Sequence, residues 1–321
     1  MQICCNYHGL KSAYPRLMVG LGNFDGVHIG HQALIRKLVD RAHQESATPA
    51  IMTFNPHPLA VLRPESAPPL LLSPDAKRTL LAKLGVEVLI QVPFDRTFAA
   101  LTPEDFIKDV LYRELGVNIV FVGYNYTFGR YGKGTPETLL KYAPYYGYTV
   151  EIIPPVKVQN QVVSSTYIRN LLKEGKVKEA STYLGYTPFL EGIVVSGDRR
   201  GSTFGFPTAN IDPEDGVLIP GNGVYAVKVE INGDLFLGVA NIGTRPTFKS
   251  ADVNKTIEVH VLDFCQDLYG QPVRVLFSRR LRNERKFTSV QDLVRQIEMD
   301  IRQVRLEYAQ RKISREVISG Y

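Results

Sequence analysis

The sequence predicts two domains of different fold class. The first is an α/β domain built on a doubly wound, mostly parallel sheet, and the second is a small antiparallel β-barrel with a C-terminal helix. The length of 321 residues favours about two folded cores rather than one. In the first half, apolar runs alternate with helical patterns, as in parallel sheets that are covered on both faces. In the second half, strand patterns follow one another until a single long helical stripe closes the chain.

The first domain is predicted from five apolar runs that indicate buried strands: Leu17–Leu21, residues 50–54, 86–92 and 117–122, and Thr149–Ile153. Helical patterns lie between them, and the first covers residues 29–46. Thr102-Pro103 and Thr135-Pro136 each combine an N-cap residue with proline at the first helical position. They predict helices that end near residues 115 and 146.

The second domain is predicted to follow two short helices at residues 165–174 and 176–184, which Gly175 and Gly185 terminate. The boundary is therefore placed so that residues 1–185 form the first domain and residues 186–321 the second. Strands are predicted at residues 189–196, 224–231, 235–241, 256–262 and 273–281, with a hairpin turn at Asn232-Gly233. Residues 289–313 are predicted to form the closing helix.

Composition indicates a globular protein, because 44% of the residues are hydrophobic and 22% are charged. No apolar run is long enough for a membrane span, and Lys11 and Arg16 interrupt any secretory signal, so a cytoplasmic location is expected. The three cysteines show no metal-ligand spacing. The net charge of +6 suits anionic ligands such as nucleotides. It is weak evidence for nucleic-acid binding, which usually needs basic residues clustered on one face.

The first candidate site is the glycine-rich turn between strand 17–21 and the helix that begins near Ile29. Ligands of open α/β sheets bind at this edge, where a helix N-terminus offers free N–H groups to phosphate. His28 and His31 are three residues apart and share one helix face, so both imidazoles can reach charge that develops on a phosphate. The spacing matches neither a dinucleotide-binding fingerprint nor a P-loop. For a lone histidine, a solvated helix start would be the preferred interpretation.

The segment His28-Ile29-Gly30-His31 resembles the HxGH signature of nucleotidylyltransferases, and residues 22–31 as a whole resemble bacterial bifunctional riboflavin kinase/FAD synthetases. Further segments agree in order with that family's TFxPHP, VGxDFxFG and SSTxIR patterns, at residues 53–58, 122–129 and 164–169. The resemblance implies that His28 and His31 are catalytic and that His57 lies beside the flavin phosphate or the nucleotide. It implies nucleotide binding by Gly22, Asn23, Phe24, Asp25, Gly30, Asn125, Ser164, Ser165, Thr166 and Arg169. Without it, residues 164–166 would be interpreted as a plain helix cap.

The second candidate site is a loop at residues 197–210, which carries three glycines and two arginines and could cradle phosphate. Thr208 and Asn210 offer oxygens that suit Mg²⁺ carried by ATP. Residues 205–210 resemble the PTAN segment of riboflavin kinases, which implies nucleotide binding by Gly197, Arg199, Gly201, Gly205 and Pro207. The resemblance extends to residues 257–260, so Glu258 is predicted as the kinase carboxylate, although composition alone favours a surface glutamate. Arg282 is assigned to the flavin by resemblance to an LRxExxF segment.

The resemblance covers roughly residues 17–310 and implies two reactions. The second domain would phosphorylate riboflavin with ATP to give FMN, and the first would adenylylate FMN with a second ATP to give FAD and pyrophosphate. It implies Mg²⁺ with ATP, FMN and FAD as substrate and product, and no nucleic-acid or membrane partner. Self-association is left open.

Three alternatives remain. One site could be degraded, since Tyr167 replaces a frequent basic residue of the SSTRIR pattern. A flavin or nucleotide sensor would not need both His28-His31 and Glu258. An RNA-binding protein would need aromatic residues among the arginines of residues 279–286, and none lies there.

Overall fold

The computed structural model describes residues 1–197, 204–245 and 254–318. The chain forms two compact units that divide between Ser165 and Thr166.

The first unit is built on one six-stranded sheet in which every pair of neighbouring strands is parallel. The spatial order is β1-β4-β3-β2-β5-β6. The strands are β1 Gln2–Cys4, β2 Leu17–Leu21, β3 Thr48–Asn55, β4 Val88–Pro93, β5 Val117–Gly123 and β6 Thr149–Ile153. Every residue of β2 is buried, which agrees with a central strand covered on both faces. The predicted doubly wound parallel sheet is confirmed.

Helices connect these strands: α1 Leu10–Ala13, α2 Ile29–Gln44, α3 Pro58–Leu62, α4 Pro74–Lys83, α5 Arg96–Ala99, α6 Pro103–Asp105 and α7 Pro136–Tyr146. The helix predicted from Thr102-Pro103 begins as expected, with Thr102 Oγ1 accepting from the N–H of Asp105 at 3.1 Å. It then continues as a π-helix over Phe106–Glu114, a change of winding that the 3.6-residue pattern does not reveal. A short antiparallel pair, β7 Lys157–Val158 and β8 Gln161–Val162, follows β6.

Several short elements of the first unit were not predicted, among them strand β1 and helix α4. Strand β1 pairs only with β4 at the edge of the sheet, and an edge strand of three residues needs no apolar run. Helix α4 was missed although Ser73-Pro74 repeats the N-cap signal used elsewhere, with Ser73 Oγ accepting from the N–H of Ala76 at 3.1 Å. This helix carries a residue of the candidate site.

The second unit is a closed barrel preceded by α8 Ser165–Lys173 and α9 Val177–Leu184. The barrel order is β10-β13-β12-β11-β14-β9, with every neighbouring pair antiparallel. The strands are β9 Phe189–Val195, β10 Ala209–Pro213, β11 Gly223–Ile231, β12 Asp234–Arg245, β13 Asn254–Val261 and β14 Pro272–Arg282. The predicted barrel and the hairpin at Asn232-Gly233 are confirmed. Strand β10 was missed because it follows directly on a loop-like glycine-rich segment.

The closing helix, α10 Val290–Ile318, packs against the outside of β11 and β12. Val304 is fully buried there beside Val224, Ala226 and Val239. The inside of the barrel is filled by the alternate residues of each strand, such as Tyr225, Ile242 and Val259.

The division between the compact units lies earlier in the chain than the predicted boundary at residue 185. Helix α9 packs against β14, and the N–H of Gly221 donates to the carbonyl of Leu172 at 2.8 Å. These contacts explain why the helix pair groups with the barrel.

Candidate functional site

The carboxyl ends of three neighbouring strands carry the predicted residues of the first unit. Strand β2 lies between β3 and β5, and all three run parallel. The glycine turn at residues 22–27 follows β2, His57 follows β3 and Asn125 follows β5. The fold therefore brings three segments that are distant in sequence to one edge of the sheet, which is the ligand-binding edge of open α/β folds.

The turn after β2 has a strained backbone that its own buried side chains hold in place. Phe24 has φ 49° and Val27 has φ 37°, in a region that β-branched and bulky residues rarely occupy. Both side chains are only 1% exposed. Burial of this kind is what allows a strained turn to persist, and such turns concentrate at ligand sites.

Asp25 stabilises the same turn through buried hydrogen bonds. Its carboxylate accepts from the N–H of Leu71 at 2.9 and 3.2 Å, and its backbone carbonyl accepts from Ser165 Oγ at 2.9 Å. Asp25 is 5% exposed. The contact with Ser165 links the turn to the start of the SSTYIR segment.

His28 and His31 form a stacked pair at the start of α2. Their ring centroids are 3.6 Å apart with planes 11° from parallel. His28 is the N-cap of the helix, and its Nδ1 accepts from the N–H of His31 at 3.3 Å. A neutral imidazole that accepts at Nδ1 carries its proton at Nε2, so His28 presents an Nε2–H donor. A Cβ on Gly30 would lie 3.2 Å from this ring, so the glycine of HxGH leaves space for His28.

His31 is neutral at physiological pH in the free protein. Burial, the neighbouring His28 and the charge of Lys77 hold the pKa of His31 well below its usual 6.5. Its Nδ1 is buried and has no hydrogen-bond partner among the described residues. Two neutral imidazoles at a positive helix end are therefore available as hydrogen-bond donors or acceptors to an anion.

Asn23 connects the turn to the segment after β3. Its backbone carbonyl accepts from Thr53 Oγ1 at 3.1 Å and from Lys77 Nζ at 3.3 Å. Its side-chain amide lies 3.5 Å from His57 Nε2. The structure thus brings His57 against the glycine turn. Lys77, on the unpredicted α4, joins the site without any signal from the motifs.

The remaining predicted residues of the first site are less closely linked. Asn125 is exposed in the turn after β5. Ser164 is partly buried immediately before α8. Thr166 and Arg169 belong to the second compact unit, where Thr166 is exposed and Arg169 is 7% exposed. Their nucleotide-binding roles stay predictions.

The second site is a row of polar residues across three neighbouring barrel strands. In the strand register Asn210 of β10 lies opposite Glu258 of β13, and Glu258 lies opposite Asn241 of β12. The flanking residues Ile257 and Val259 are 2% and 1% exposed, so they face the barrel interior. Since side chains alternate along a strand, the row of Asn210, Glu258 and Asn241 faces outward. Asn241 was quoted within a motif but not predicted as a site residue.

The end of β9 approaches this row through Gly197. A Cβ on Gly197 would overlap the side-chain amide of Asn210, so a larger residue at this position would have to displace that amide. Thr208 stands two residues before Asn210, and His260 Nδ1 donates to the carbonyl of Pro207 at 2.8 Å. The ring of Phe206 meets His260 edge-on at 5.7 Å. The PTAN segment is therefore held against β13 beside Glu258.

Gly205 is exposed and has φ 85°, in the left-handed region, at the turn that leads into this segment. Arg199 and Gly201 lie outside the described residues, as does the segment 246–253 after Asn241.

Arg282 forms an ion pair with the closing helix. Its Nε donates to Asp300 Oδ2 at 3.0 Å, and Asp300 is 3% exposed. Other arginines of the basic run are also engaged, with Arg279 bonded to Glu307 and Arg285 to Gln296. These contacts give the run a structural role in holding α10. The flavin-binding role of Arg282 stays a prediction.

None of the described helices is both long and apolar enough to cross a membrane. Across the same residues, no three His, Cys, Asp or Glu side chains cluster as ligands for a metal ion.

Comparison with known proteins identifies two successive family matches. A family model described as FAD synthetase matches residues 11–167, and one described as Riboflavin kinase matches residues 184–307. A Bifunctional riboflavin kinase/FMN adenylyltransferase from Bacillus subtilis is 40% identical over 302 residues, covering 92% of this chain and 93% of the relative. The enzyme of that name from Escherichia coli K12 is 38% identical, covering 94% and 96%.

One solved structure, named Macrolide-efflux Protein from Streptococcus pneumoniae, superposes with a TM-score of 0.84 at 37% identity. The match covers 90% of this chain and 94% of that one.

Proposed function

This chain belongs to the bifunctional riboflavin kinase/FMN adenylyltransferase family, and we propose that FMN is adenylylated at His28 and His31 and riboflavin is phosphorylated at Glu258. The protein converts riboflavin and ATP into FMN, then FMN and ATP into FAD and pyrophosphate. The main support for this proposal is that each of the two matched regions contains one cluster of polar residues. The stacked histidines lie within residues 11–167, and the Asn210–Glu258–Asn241 row lies within residues 184–307.

The adenylyl transfer is an attack by the phosphate of FMN on the α-phosphate of ATP, with pyrophosphate leaving. In the proposed site, the N-terminus of α2 and Nε2–H of His28 bind phosphate oxygens, where negative charge increases during the transfer. His31 adds a second neutral imidazole beside it. The turn residues Gly22, Asn23, Phe24 and Asp25 hold this geometry, and catalysis consists of positioning and charge stabilisation.

The other predicted residues of the first site, all within residues 1–185, are proposed to bind the two substrates. Asn125, Ser164, Ser165, Thr166 and Arg169 bind the nucleotide, and His57 binds the flavin phosphate. Support comes from the contact of Ser165 with Asp25 and of His57 with Asn23.

In the proposed kinase site of residues 186–321, the Glu258 carboxylate accepts the proton of the riboflavin 5′-hydroxyl as that oxygen attacks the γ-phosphate of ATP. ADP leaves. Gly197, Gly205 and Pro207 belong to the loop that approaches the phosphates, together with the predicted Arg199 and Gly201. Arg282 is proposed at the flavin edge.

The residues around Asn210 fit a magnesium ion. Thr208 and Asn210 offer a hydroxyl and an amide oxygen, and Glu258 lies opposite Asn210 with a carboxylate. Mg²⁺ prefers such hard oxygen donors and takes most other ligands from water and the nucleotide phosphates. The two neutral oxygens of Thr208 and Asn210 suit an ion that arrives with ATP. When bound, it neutralises phosphate charge.

The direct test is to incubate the purified chain with riboflavin, ATP and Mg²⁺ and to separate the flavins by chromatography over time. FMN should appear first and FAD later, and FMN supplied with Mg-ATP should give FAD with one pyrophosphate each. Chelation of Mg²⁺ should stop both reactions. A chain that makes FMN but leaves supplied FMN unchanged would have only one working site.

Tyr167, which replaces a frequent basic residue of the SSTRIR pattern, is the reason for considering that only one site works. Its hydroxyl lies 3.5 Å from Glu179 Oε1, and its ring meets Tyr183 edge-on at 4.9 Å. This side chain packs against α9, so its replacement of a basic residue is compatible with two working sites.

Gly197→Ala is expected to lower FMN formation by about 10²-fold, since the new Cβ must displace the Asn210 amide and small misplacements cost that much. Initial rates with riboflavin and Mg-ATP measure the loss. FAD formation from supplied FMN in the same sample is the control for intact protein.

A double-mutant cycle shows whether the effect passes through Asn210. In an Asn210→Ala background the amide is gone, so Gly197→Ala should cost little more. Equal losses in both backgrounds would contradict this explanation.

We also propose a cytoplasmic location, supported by three free cysteines, which are typical of reducing compartments.

A further inference from the structure

We propose that Lys77 is a third catalytic residue of the adenylyl-transfer site, whose ammonium group binds the triphosphate of ATP beside His28 and His31. This inference rests on the proposed function of the histidine pair. It adds a cation from an element that the recognised motifs do not contain.

The geometry places the Lys77 ammonium against the glycine turn. Lys77 lies in the first turns of α4, which Ser73 caps and Pro74 begins. Its Nζ lies 3.3 Å from the backbone carbonyl of Asn23 and 3.4 Å from Thr53 Oγ1. Thr53 is fully buried near the end of β3, so one contact of the ammonium group is with the interior of the sheet edge. The side chain therefore reaches across the carboxyl edge of the sheet to the turn that precedes His28.

The charge of Lys77 is only partly compensated. Both hydrogen-bond acceptors are neutral oxygens, and an ammonium group carries three donors. Burial lowers the pKa of Lys77, while Asp25 attracts its charge and Arg78 repels it. The Asp25 carboxylate also accepts from the N–H of Leu71. A poorly hydrated cation gains more from an arriving polyanion than an exposed one does, because the local dielectric constant is low.

The low pKa of His31 also indicates that the charge of Lys77 acts at this site. Lys77 is close enough to contribute to the low pKa of His31, together with burial and His28. The His31 imidazole is therefore a neutral hydrogen-bonding group in the free enzyme, and Lys77 supplies positive charge beside this turn. The Nδ1 of His31 is buried and has no hydrogen-bond partner among the described residues.

A purely bracing role is the competing explanation, in which Lys77 only ties Asn23 to Thr53. Lys77→Gln separates the two roles, because the amide keeps hydrogen-bond donors for these oxygens but removes the charge. Lys77→Arg keeps the charge. Lys83→Gln is the matched control, since Lys83 is exposed at the end of the same helix.

The measurements are kcat and KM for ATP in FAD formation from supplied FMN, and the inhibition constants of pyrophosphate and of AMP. Lys77→Gln should lower kcat/KM for ATP by about 10-fold to 100-fold, the range for losing one charged hydrogen bond. It should weaken inhibition by pyrophosphate at least as much, and leave inhibition by AMP and KM for FMN nearly unchanged. Lys77→Arg should recover much of the pyrophosphate inhibition, and Lys83→Gln should match the parent protein.

Equal weakening of pyrophosphate and AMP inhibition, or no change in either, would overturn the proposal. The His28→Ala, His31→Ala variant is measured alongside. If that variant keeps FAD formation, the proposed function fails, whereas loss there with an unaffected Lys77→Gln enzyme refutes only the role of Lys77. Riboflavin phosphorylation in each sample reports intact protein.

Discussion

Replacing His28 and His31 together by alanine is expected to lower FAD formation from FMN by about 10³-fold or more, while FMN formation from riboflavin continues at the parent rate. Removal of a single positioned donor at a developing negative charge costs about 10² to 10³ in rate, and this variant removes two. The two rings are stacked at the N-terminus of α2, so neither can be replaced by a neighbouring side chain. Separate initial rates with riboflavin and with FMN as the starting flavin measure both reactions.

The alanine variant also loses the N-cap of α2, at a cost of about 1 kcal/mol. His28→Asn is the control for that effect, because asparagine caps a helix well but places no imidazole at the site. It should unfold at nearly the parent temperature and still lose most FAD formation. His43→Ala is a second control, since His43 is exposed near the other end of the same helix. Full activity of His28→Asn would show that capping is the only role of His28.

Glu258→Gln is expected to produce the reverse pattern. FMN formation should fall by about 10² to 10⁴-fold, the usual contribution of a general base, and FAD formation from supplied FMN should continue. Glutamine keeps the size and hydrogen-bonding oxygen of the side chain between Asn210 and Asn241, so the change removes charge and basicity with little disturbance of the register. The rate of riboflavin phosphorylation with Mg-ATP measures the loss.

The control for this variant is Glu298→Gln, which changes an exposed carboxylate on α10. It should phosphorylate riboflavin like the parent. If Glu258→Gln retained FMN formation, or if it stopped both reactions in folded protein, the assignment of the two chemistries to the two units would be wrong.

Much of the fold was predictable because each element carries its own local signal. The apolar runs of β2 and β6 have their predicted bounds, Leu17–Leu21 and Thr149–Ile153. Burial of every residue of β2 explains why that strand carries no polar residue. Tyr146 ends α7 as expected, because Gly147 adopts the left-handed conformation at the C-cap. The edge strand β1 was unpredictable because a strand with one partner and exposed faces needs no apolar pattern.

The sites were predictable to the extent that their residues are close in sequence. His28 and His31 share a helix face by spacing alone, and their stacked rings confirm the expected proximity. The cap at Ser73-Pro74 indicates the start of α4, but the sequence gives no sign that Lys77 belongs to a site, because a lysine on a helix is usually solvated. Its place beside Asn23 depends on how α4 crosses the end of β3.

The sequence by itself determined the two fold classes, the family and the polar turns, since these depend on periodicity and on short ordered motifs. Tertiary structure alone decided which distant residues meet. The parallel order of β3, β2 and β5 brings His57 to Asn23, and the barrel register sets Glu258 between Asn210 and Asn241. The physical reason is that strand pairing and register are set by burial of whole sheet faces, a property of many residues together that no single segment encodes.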